Sequence, residues 1–267
     1  MSEPLTHRGE VVRALLRDAG AAATRFVGTV FEVRRKADES PVTDADLAAE
    51  AVLIEGLRRH WPDDRIHSEE RGELPGTGSA TWVVDPIDGT SAFTEGIAHW
   101  GPTIARLIRD AQGDERVDLG ALYLPRLDEH YHVEAGRGWL NGVEMAPMHR
   151  LAPNHVLYVP SGFHKHFEVT FAGKARCLGG TAAHLCLVAR GAAVAVIVPP
   201  RWSIWDTAAG LALIEALGGR AARLPDGAPL DPFRDTGLPF VAGFPDAVEA
   251  LLQPGQLRGR SQGVFRD

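Results

Sequence analysis

Three apolar residues that lead directly into an aspartate constrain this chain more than any other feature. The stretch from Trp82 to Thr90 reads WVVDPIDGT, a pattern that predicts a buried strand with a carboxylate at its C-terminal end. In layered α/β sheets, ligands tend to bind at that end of the strands. Pro86 fixes the backbone dihedral φ, so we expect it to stop strand pairing and turn the chain. Asp88 then folds back beside Asp85, with the Ile87 carbonyl between them.

Two carboxylates and one carbonyl around a single turn form a set of hard oxygen ligands. Such a set is what Mg²⁺ prefers in proteins. Gly89 lets a ligand approach the backbone, and Thr90 opens a short helix. Asp-Pro and Asp-Gly pairs also occur in ordinary turns, so this stretch alone leaves a purely structural role open.

Other acidic residues lie at comparable positions in the chain. Glu69 follows the strand-like segment Arg65 to His67, again a carboxylate at the end of a β-run. Asp206 begins an apolar helix, where a structural role would be that of an N-cap. Thr43 is typical of an N-cap, and Asp46 lies three residues on, as in a capping box. Taken together, these acidic strand and helix ends indicate a site.

The remaining hydrophobic spacing predicts an α/β protein. Helices are predicted at Gly9 to Phe26, Thr43 to Trp61, Thr181 to Arg190 and Ile204 to Leu217. Besides the segments already named, strands are predicted at Thr29 to Arg35, Thr103 to Ile108, Asp118 to Leu124, His130 to Ala135, His155 to Val159, Ala175 to Leu178 and Ala193 to Val198. Strands and helices alternate in the second half, which indicates layered packing. We predict two halves in contact, residues 1–148 and 149–267.

The composition of the chain limits the classes of molecule that it is expected to bind. The chain has 267 residues, of which 45% are hydrophobic, and a formal net charge of −7, which disfavours a nucleic-acid partner. An anionic substrate stays open, because bound divalent cations can reverse the sign of an acidic pocket. Cys177 and Cys186 form no C-x-x-C pair, which argues against a disulfide framework and a thiolate metal site.

Nothing in the sequence indicates a membrane. The polar N-terminus, MSEPLTHRGE, lacks the apolar core of a signal peptide. The most apolar stretch, Ala192 to Val198, is too short to span a bilayer. We therefore expect a soluble, cytoplasmic protein without a membrane partner.

In this set of motifs, the sequence resembles the inositol monophosphatase-like superfamily of Mg-dependent, lithium-sensitive phosphomonoesterases. The stretch DPIDGT at 85–90 matches its first signature, and WDTAAG at 205–210 resembles its second. Further similar stretches are Val42 to Asp46, Ser68 to Glu70, Gly136 to Gly142, Gly180 to Ala183 and Gly218-Gly219. They occur in the family's order from about Lys36 to Gly219, over most of the chain.

The resemblance implies a layered αβαβα sandwich with metal ions between the two halves, and a homodimer. It implies that Glu69, Asp85 and the Ile87 carbonyl hold one Mg²⁺. Asp85, Asp88 and Asp206 would hold a second, with a third, weaker ion possible near Glu69. It further implies inhibition by Li⁺ and by excess Mg²⁺.

Catalytic and substrate roles follow from the same resemblance. Thr90 and Asp46 would orient the attacking water and take its proton, and Glu69 completes the catalytic set. Backbone N–H groups of Gly89 and Thr90 would receive phosphate oxygens. The remaining substrate contacts would be Asp88, Gly180, Thr181 and Ala182.

The resemblance implies a small phosphorylated metabolite as substrate, with inositol monophosphate first. However, inositol monophosphatases carry a glutamate a few residues before the Trp-Asp signature, where this chain reads VPPR at 198–201. The spacing of Phe93, Gly96 and Trp100-Gly101 resembles the histidinol-phosphate phosphatase branch instead. Sugar bisphosphates and phosphoadenosine compounds stay open. Arg201 and His99 are either substrate contacts or surface residues, and Lys36 is either a metal-loop residue or a solvated one.

Three rival functions stay open at this point. Two His-x-His pairs, at 130–132 and 164–166, would place two imidazoles on one strand face each, as in a zinc hydrolase. Glu69 and Asp85 could be the paired carboxylates of a glycosidase. A family member could also bind metal and ligand without turnover.

Overall fold

The computed structural model describes residues 4–29, 32–35, 41–151, 155–224 and 226–259. The helices are α1 His7–Thr24, α2 Asp44–His60, α3 Thr90–Thr94, α4 Phe163–His166, α5 Thr181–Ala189, α6 Ile204–Ala216 and α7 Pro245–Leu251. The strands are β1 Val33–Arg35, β2 Pro41–Thr43, β3 Arg65–Ser68, β4 Gly72–Leu74, β5 Thr81–Asp88, β6 Gly101–Arg109, β7 Glu115–Leu124, β8 Glu129–Glu134, β9 Arg137–Leu140, β10 Val143–Glu144, β11 Val156–Tyr158, β12 Phe167–Val169, β13 Lys174–Arg176, β14 Ala195–Val198, β15 Arg220–Arg223, β16 Phe240–Gly243 and β17 Leu257–Gly259.

These elements stack in five layers. Helices α1 and α2 pack on one face of an eight-stranded sheet of order β10-β9-β8-β7-β6-β5-β3-β4. Helices α5 and α6 lie against its other face and also against a five-stranded sheet of order β13-β11-β14-β16-β15, which α7 covers from outside. The αβαβα sandwich predicted from the sequence is therefore confirmed. Two small sheets, β1-β2 and β12-β17, lie outside this stack.

Helix α1 shows why the outer helical layer forms. Its buried residues, which include Val12, Leu16, Ala19 and Ala23, recur at three- and four-residue spacing and make one apolar stripe. That stripe packs on α2 and the large sheet. The approach of the two helices is close, since a Cβ on Gly56 would lie 2.1 Å from a Leu15 methyl group.

In the eight-stranded sheet, two neighbouring strands that lead toward the candidate acidic residues lie side by side. Strands β3 and β5 pair in parallel, with Ser68 opposite Val84. The two strands therefore run the same way, and the segment over which they pair is followed at once by an acidic residue in each chain segment, Glu69 after β3 and Asp85 within β5. This arrangement follows from the sequence pattern of apolar runs that end in carboxylates.

The expectation that Pro86 stops strand pairing is wrong in part. Strand β5 continues to Asp88, where it pairs again with Gly101 of β6, but the register shifts between Asp85 and Asp88. Such an irregularity bends a strand and re-aims its side chains. Proline removes one ladder hydrogen bond here without ending the strand.

The chain division stays a prediction. The large sheet uses strands up to Glu144, and the five-stranded sheet uses strands from Val156 onward, so each proposed half, 1–148 and 149–267, contains one of the two larger sheets. The five-stranded sheet mixes parallel β13, β11 and β14 with antiparallel β16 and β15.

Among the described residues, none of the helices has the length and apolarity needed to cross a membrane.

His130 and His132 lie in the interior, between β8 and α1. Both are buried, their rings are stacked 6.1 Å apart, and His132 lies beside Gly9 of α1. Both ring nitrogens of His130 lack a hydrogen-bond partner among the described residues. His164 lies on helix α4 and not on a strand. The strand arrangement expected for a zinc site at 164–166 is therefore absent.

A pH-dependent stability follows from this burial. Burial lowers the pKa of His130 to about 3, whereas the pKa of an unfolded histidine is about 6.5. The unfolded chain therefore binds the extra proton first, and stability falls as pH drops from about 6.5 toward 3. Between pH 7.5 and pH 5, the free energy of unfolding should fall by about 2 kcal/mol more in the wild-type protein than in His130→Met. Urea unfolding at both pH values measures it, and an equal loss in the two proteins would contradict it.

Candidate functional site

The predicted metal ligands meet in one cavity, which is lined by residues from both predicted halves. Its volume is ≈ 330 Å³, and its walls include the carboxylates of Glu69, Asp85, Asp88 and Asp206 and the backbone of Ile87. A larger cavity of ≈ 1190 Å³ lies elsewhere, between β7, β8 and α6, and none of the predicted site residues lines it. We therefore take the smaller cavity as the candidate site, because the residues that line a cavity, and not its volume, determine what it can bind.

A buried network fixes the backbone that carries Glu69. The Glu69 N–H donates to the Val84 carbonyl at 3.0 Å. The hydroxyl of Ser68 donates to the carboxylate of Glu50, which also accepts the Arg71 N–H at 3.0 Å and the Arg71 guanidinium at 3.1 Å. Glu50 is fully buried on α2. It is a supporting residue that the sequence reading missed.

A sequence signal for Glu50 did exist. It lies four residues after Asp46 on α2, so both acids share one face of the helix. That face is the one turned toward the sheet, where an acid is otherwise out of place. An acidic pair at this spacing within a buried face therefore indicates a support for a nearby site.

Asp85 lies at the centre of the acidic group. It is 2% exposed, and one carboxylate oxygen accepts the Ile87 N–H at 2.9 Å. Burial raises the pKa of Asp85 well above its ordinary value, and the charges of Glu69, Asp88 and Asp206 raise it further. The side chains of Asp85 and Glu69 also share a hydrogen bond. Acidic groups are therefore concentrated here, and no lysine or arginine of the described residues lines the cavity beside them.

Asp88 joins the two halves. One of its carboxylate oxygens accepts the Ala183 N–H at 3.1 Å, and the N–H groups of Thr181 and Ala182 also bond to it. Asp88 therefore caps the start of α5 from the other half of the chain. Burial raises the pKa of Asp88 to about 7, although the three backbone N–H groups act in the opposite direction.

Thr90 and Asp46 form the pair expected from the sequence. The Thr90 hydroxyl lies 3.0 Å from one oxygen of Asp46 and 3.2 Å from the Ile87 carbonyl. The second oxygen of Asp46 accepts the N–H and the hydroxyl of Thr43, which completes the capping box of α2. Asp46 is fully buried and lies behind Thr90, which lines the cavity. The capping and site roles therefore use different oxygens of one carboxylate.

Asp206 likewise combines a helix-capping contact with a place in the cavity wall. Its carboxylate accepts the Ser203 N–H at 2.8 Å, in a capping box in which Ser203 is the N-cap of α6. Asp206 is therefore the third residue of the helix and not its N-cap. It also lines the cavity, so helix α6 presents it to the site from the C-terminal half.

Close backbone approach shapes the loop that faces these carboxylates. Gly180 donates its N–H to the His99 carbonyl at 3.0 Å, and Gly179 pairs with His99 in a β-bridge. A Cβ on Gly180 would lie 2.0 Å from a carboxylate oxygen of Asp88. Gly89 has φ +91°, and its Cβ would lie 2.9 Å from the Gly180 nitrogen. Glycine is thus required at both positions.

The remaining predicted contacts are spread around this loop. Gly180 and Thr181 line the cavity, whereas Ala182 is buried behind it. Neither His99 nor Arg201 lines the cavity; Arg201 lies in a turn with φ +72° and bonds Gly237. Lys36 lies outside the described residues.

The set of oxygen groups formed by the four carboxylates and the Ile87 carbonyl fits a hard divalent cation. Four carboxylates converge, Asp85 and Asp88 are nearly fully buried, and no lysine or arginine of the described residues lines the cavity. Within the described part of the chain, no three acidic, histidine or cysteine side chains are yet grouped closely enough to hold an ion. Like charges without a cation repel one another, so we expect the carboxylates to draw together when one binds.

The layered fold and the carboxylate-lined cavity between its halves are those of a phosphoric monoester hydrolase. A sequence profile of the Inositol monophosphatase family matches residues 6–239. The chain belongs to this family. Its members are generally Mg²⁺-dependent and act on small phosphorylated substrates.

Individual relatives differ in their named activities. A histidinol-phosphatase of Chlorobaculum parvum is 33% identical over 217 residues, covering 77% of this chain and 81% of the relative. The 3'(2'),5'-bisphosphate nucleotidase CysQ of Salmonella typhimurium is 36% identical over 224 residues, with coverage of 78% and 87%. The crystal structure of the extragenic suppressor protein suhB from Bartonella henselae has a TM-score of 0.78 at 24% identity, covering 94% of this chain and 100% of that one. Family membership decides against the zinc hydrolase and glycosidase readings.

Proposed function

We propose that this chain hydrolyses a small phosphate monoester with the help of bound Mg²⁺. The observation that supports this most directly is the convergence of Glu69, Asp85, Asp88 and Asp206 on one cavity. Glu69, Asp85 and the Ile87 carbonyl would hold one ion, and Asp85, Asp88 and Asp206 a second. A third, weaker ion would lie near Glu69.

The chain's own residues would position the water and the ester. When bound, the ions would acidify a water and neutralise charge on the phosphate. The Thr90 hydroxyl, held by Asp46, faces the cavity and would orient that water. Asp46 would accept its proton, because burial already raises the pKa of Asp46. Backbone N–H groups of Gly89 and Thr90 would receive phosphate oxygens.

Removal of the Thr90 hydroxyl tests this assignment. We expect Thr90→Val to lower kcat about 100-fold, because it removes the hydroxyl that links Asp46 to the cavity. Thr90→Ser is the matched control and should keep most of the activity. Phosphate release at saturating substrate measures both variants. A Thr90→Val enzyme with wild-type kcat would contradict the role of Thr90.

The substrate we favour is histidinol phosphate, ahead of the inositol monophosphate that the sequence placed first. A histidinol-phosphatase is among the relatives that are at least 30% identical. The pattern of Phe93, Gly96 and Trp100-Gly101 points the same way, and the acid expected before Trp205-Asp206 for inositol is missing. CysQ-type bisphosphate nucleotides are the next candidates.

A phosphate-release panel tests the proposal. It compares histidinol phosphate, inositol 1-phosphate and adenosine 3',5'-bisphosphate, each with Mg²⁺, with EDTA and with added Li⁺. We expect release that needs Mg²⁺, is inhibited by Li⁺ and by excess Mg²⁺, and is fastest with histidinol phosphate. Mg²⁺ binding without release from any substrate would support the alternative of a family member without turnover. The homodimer and the cytoplasmic location stay predictions.

A further inference from the structure

Among the described residues that line the cavity, one acidic side chain is not used by the proposed metal ligand set. Glu95 lines the same cavity as the four convergent carboxylates. The side chain of Glu95 is exposed and has no ion pair with any described residue. It is therefore available to a bound molecule.

The position of Glu95 is set by the short helix that begins at the proposed phosphate site. Helix α3 starts at Thr90, and Glu95 follows its last residue, with its N–H bonded to the Ser91 carbonyl at 3.0 Å. Gly96, at φ +75°, ends the turn. Five residues of helical rise separate Thr90 and Glu95 by about 7–8 Å. At that distance, a small ester with its phosphate at the start of α3 would meet Glu95 with its far end and not with its phosphate.

None of the described residues that line the cavity is a lysine or arginine that could offset the charge of Glu95. Ser161, Cys177 and Thr181 also line the cavity, with the Ser161 oxygen and the Cys177 sulfur 3.3 Å apart. His184 also lines the cavity, but burial lowers its pKa to about 4, so the imidazole is neutral at pH 7. Among the described lining residues, lysine and arginine are absent.

We propose that Glu95 makes the enzyme select phosphate monoesters whose distal end carries a positive charge, and discriminate against those with a second anionic group. This inference rests on the proposed phosphatase activity and concerns specificity alone. A distal ammonium group would form a charge-assisted hydrogen bond with the carboxylate. A second phosphate would instead meet a carboxylate and find no cationic side chain among the described lining residues.

A matched series of substrates tests the charge preference. 4-Aminobutyl phosphate, 4-hydroxybutyl phosphate and 4-phosphooxybutanoate have the same length and carry +1, 0 and −1 at the distal end. We expect wild-type kcat/KM to fall in that order. The preference for the amine over the alcohol should be about fivefold to tenfold at low salt. It should shrink in 0.5 M NaCl, because ions screen an exposed pair, with a Debye length of about 10 Å already at 0.1 M.

Variants of Glu95 assign the preference to this side chain. Glu95→Gln should lower kcat/KM for the amine to the level of the alcohol and leave the alcohol unchanged within about twofold. Glu95→Lys should reverse the order, so that the acid becomes better than the amine. Glu55→Gln, an exposed change on α2, is the control and should keep the wild-type order.

Two failures are distinguishable. If the wild-type enzyme releases phosphate neither from the neutral alcohol ester nor from any substrate of the phosphate-release panel, the proposed function is wrong. If the alcohol ester is hydrolysed but Glu95→Gln keeps the amine preference, the role of Glu95 is overturned while the phosphatase assignment stands.

Discussion

Asp85→Asn is expected to lower kcat/KM by at least about 1,000-fold, equivalent to about 4 kcal/mol of transition-state stabilisation. Asp85 is the carboxylate that both proposed ions would share. An amide carries no charge, so neither ion would be held well. The asparagine oxygen can still accept the Ile87 N–H, so the local turn should persist. Phosphate release with Mg²⁺ measures the loss.

Thermal unfolding supplies an independent readout for the same variant. Mg²⁺ should raise the Tm of the wild-type protein by mass action, but not the Tm of Asp85→Asn. In EDTA the variant should be at least as stable as wild type, because a buried like-charge contact is removed. Asp18→Asn, an exposed change on α1, should behave as wild type. Retained turnover in Asp85→Asn would defeat the assignment of Asp85.

Gly180→Ala is expected to lower kcat about 100-fold, although it adds a single methyl group to a residue with an ordinary φ of −67°. The new Cβ would lie 2.0 Å from a carboxylate oxygen of Asp88 and 2.8 Å from its carbonyl oxygen. The carboxylate must therefore move away from the start of α5 and from the position in which it would bind an ion. Steady-state kinetics at several Mg²⁺ concentrations should show a raised Mg²⁺ requirement.

A second glycine separates this effect from a loss of stability. A Cβ on Gly138 would lie 2.6 Å from a Leu213 methyl group, far from the cavity. Gly138→Ala should therefore lower the Tm but keep kcat near the wild-type value. If Gly138→Ala loses activity as severely as Gly180→Ala, the damage comes from destabilisation and not from Asp88.

Local chemistry made much of the site predictable from the sequence. The capping box at Thr43 involves residues three apart, and the apolar run before Asp85 marks a buried strand by itself. Parallel pairing of β3 with β5 then brings Glu69 beside Asp85. Each of these signals depends on residues close in the chain, where propensity and hydrogen bonding act directly.

The parts that the sequence did not predict depend on contacts between distant segments. The cap that Asp88 provides for α5 joins residues 95 positions apart, and no local pattern encodes it. Strands β15 and β16 were missed because β15 is short and only partly buried and because β16 pairs with β14 and β15 over longer stretches of chain. The position of Glu95 at the cavity likewise becomes visible only in the structure, where residues of α3 and of the loop around Cys177 line the same cavity.

The carboxylates of Asp46 and Asp206 each accept a hydrogen bond at the start of a helix. The same two side chains belong to the candidate site. The carboxylates that would perform catalysis are thus also part of the scaffold's own assembly. An asparagine at either position retains an oxygen able to accept the backbone N–H, so a lineage could lose chemistry in one substitution and still inherit an intact architecture. Folded but inactive descendants of such an enzyme are therefore easy to reach, and a well-formed fold alone is poor evidence of turnover.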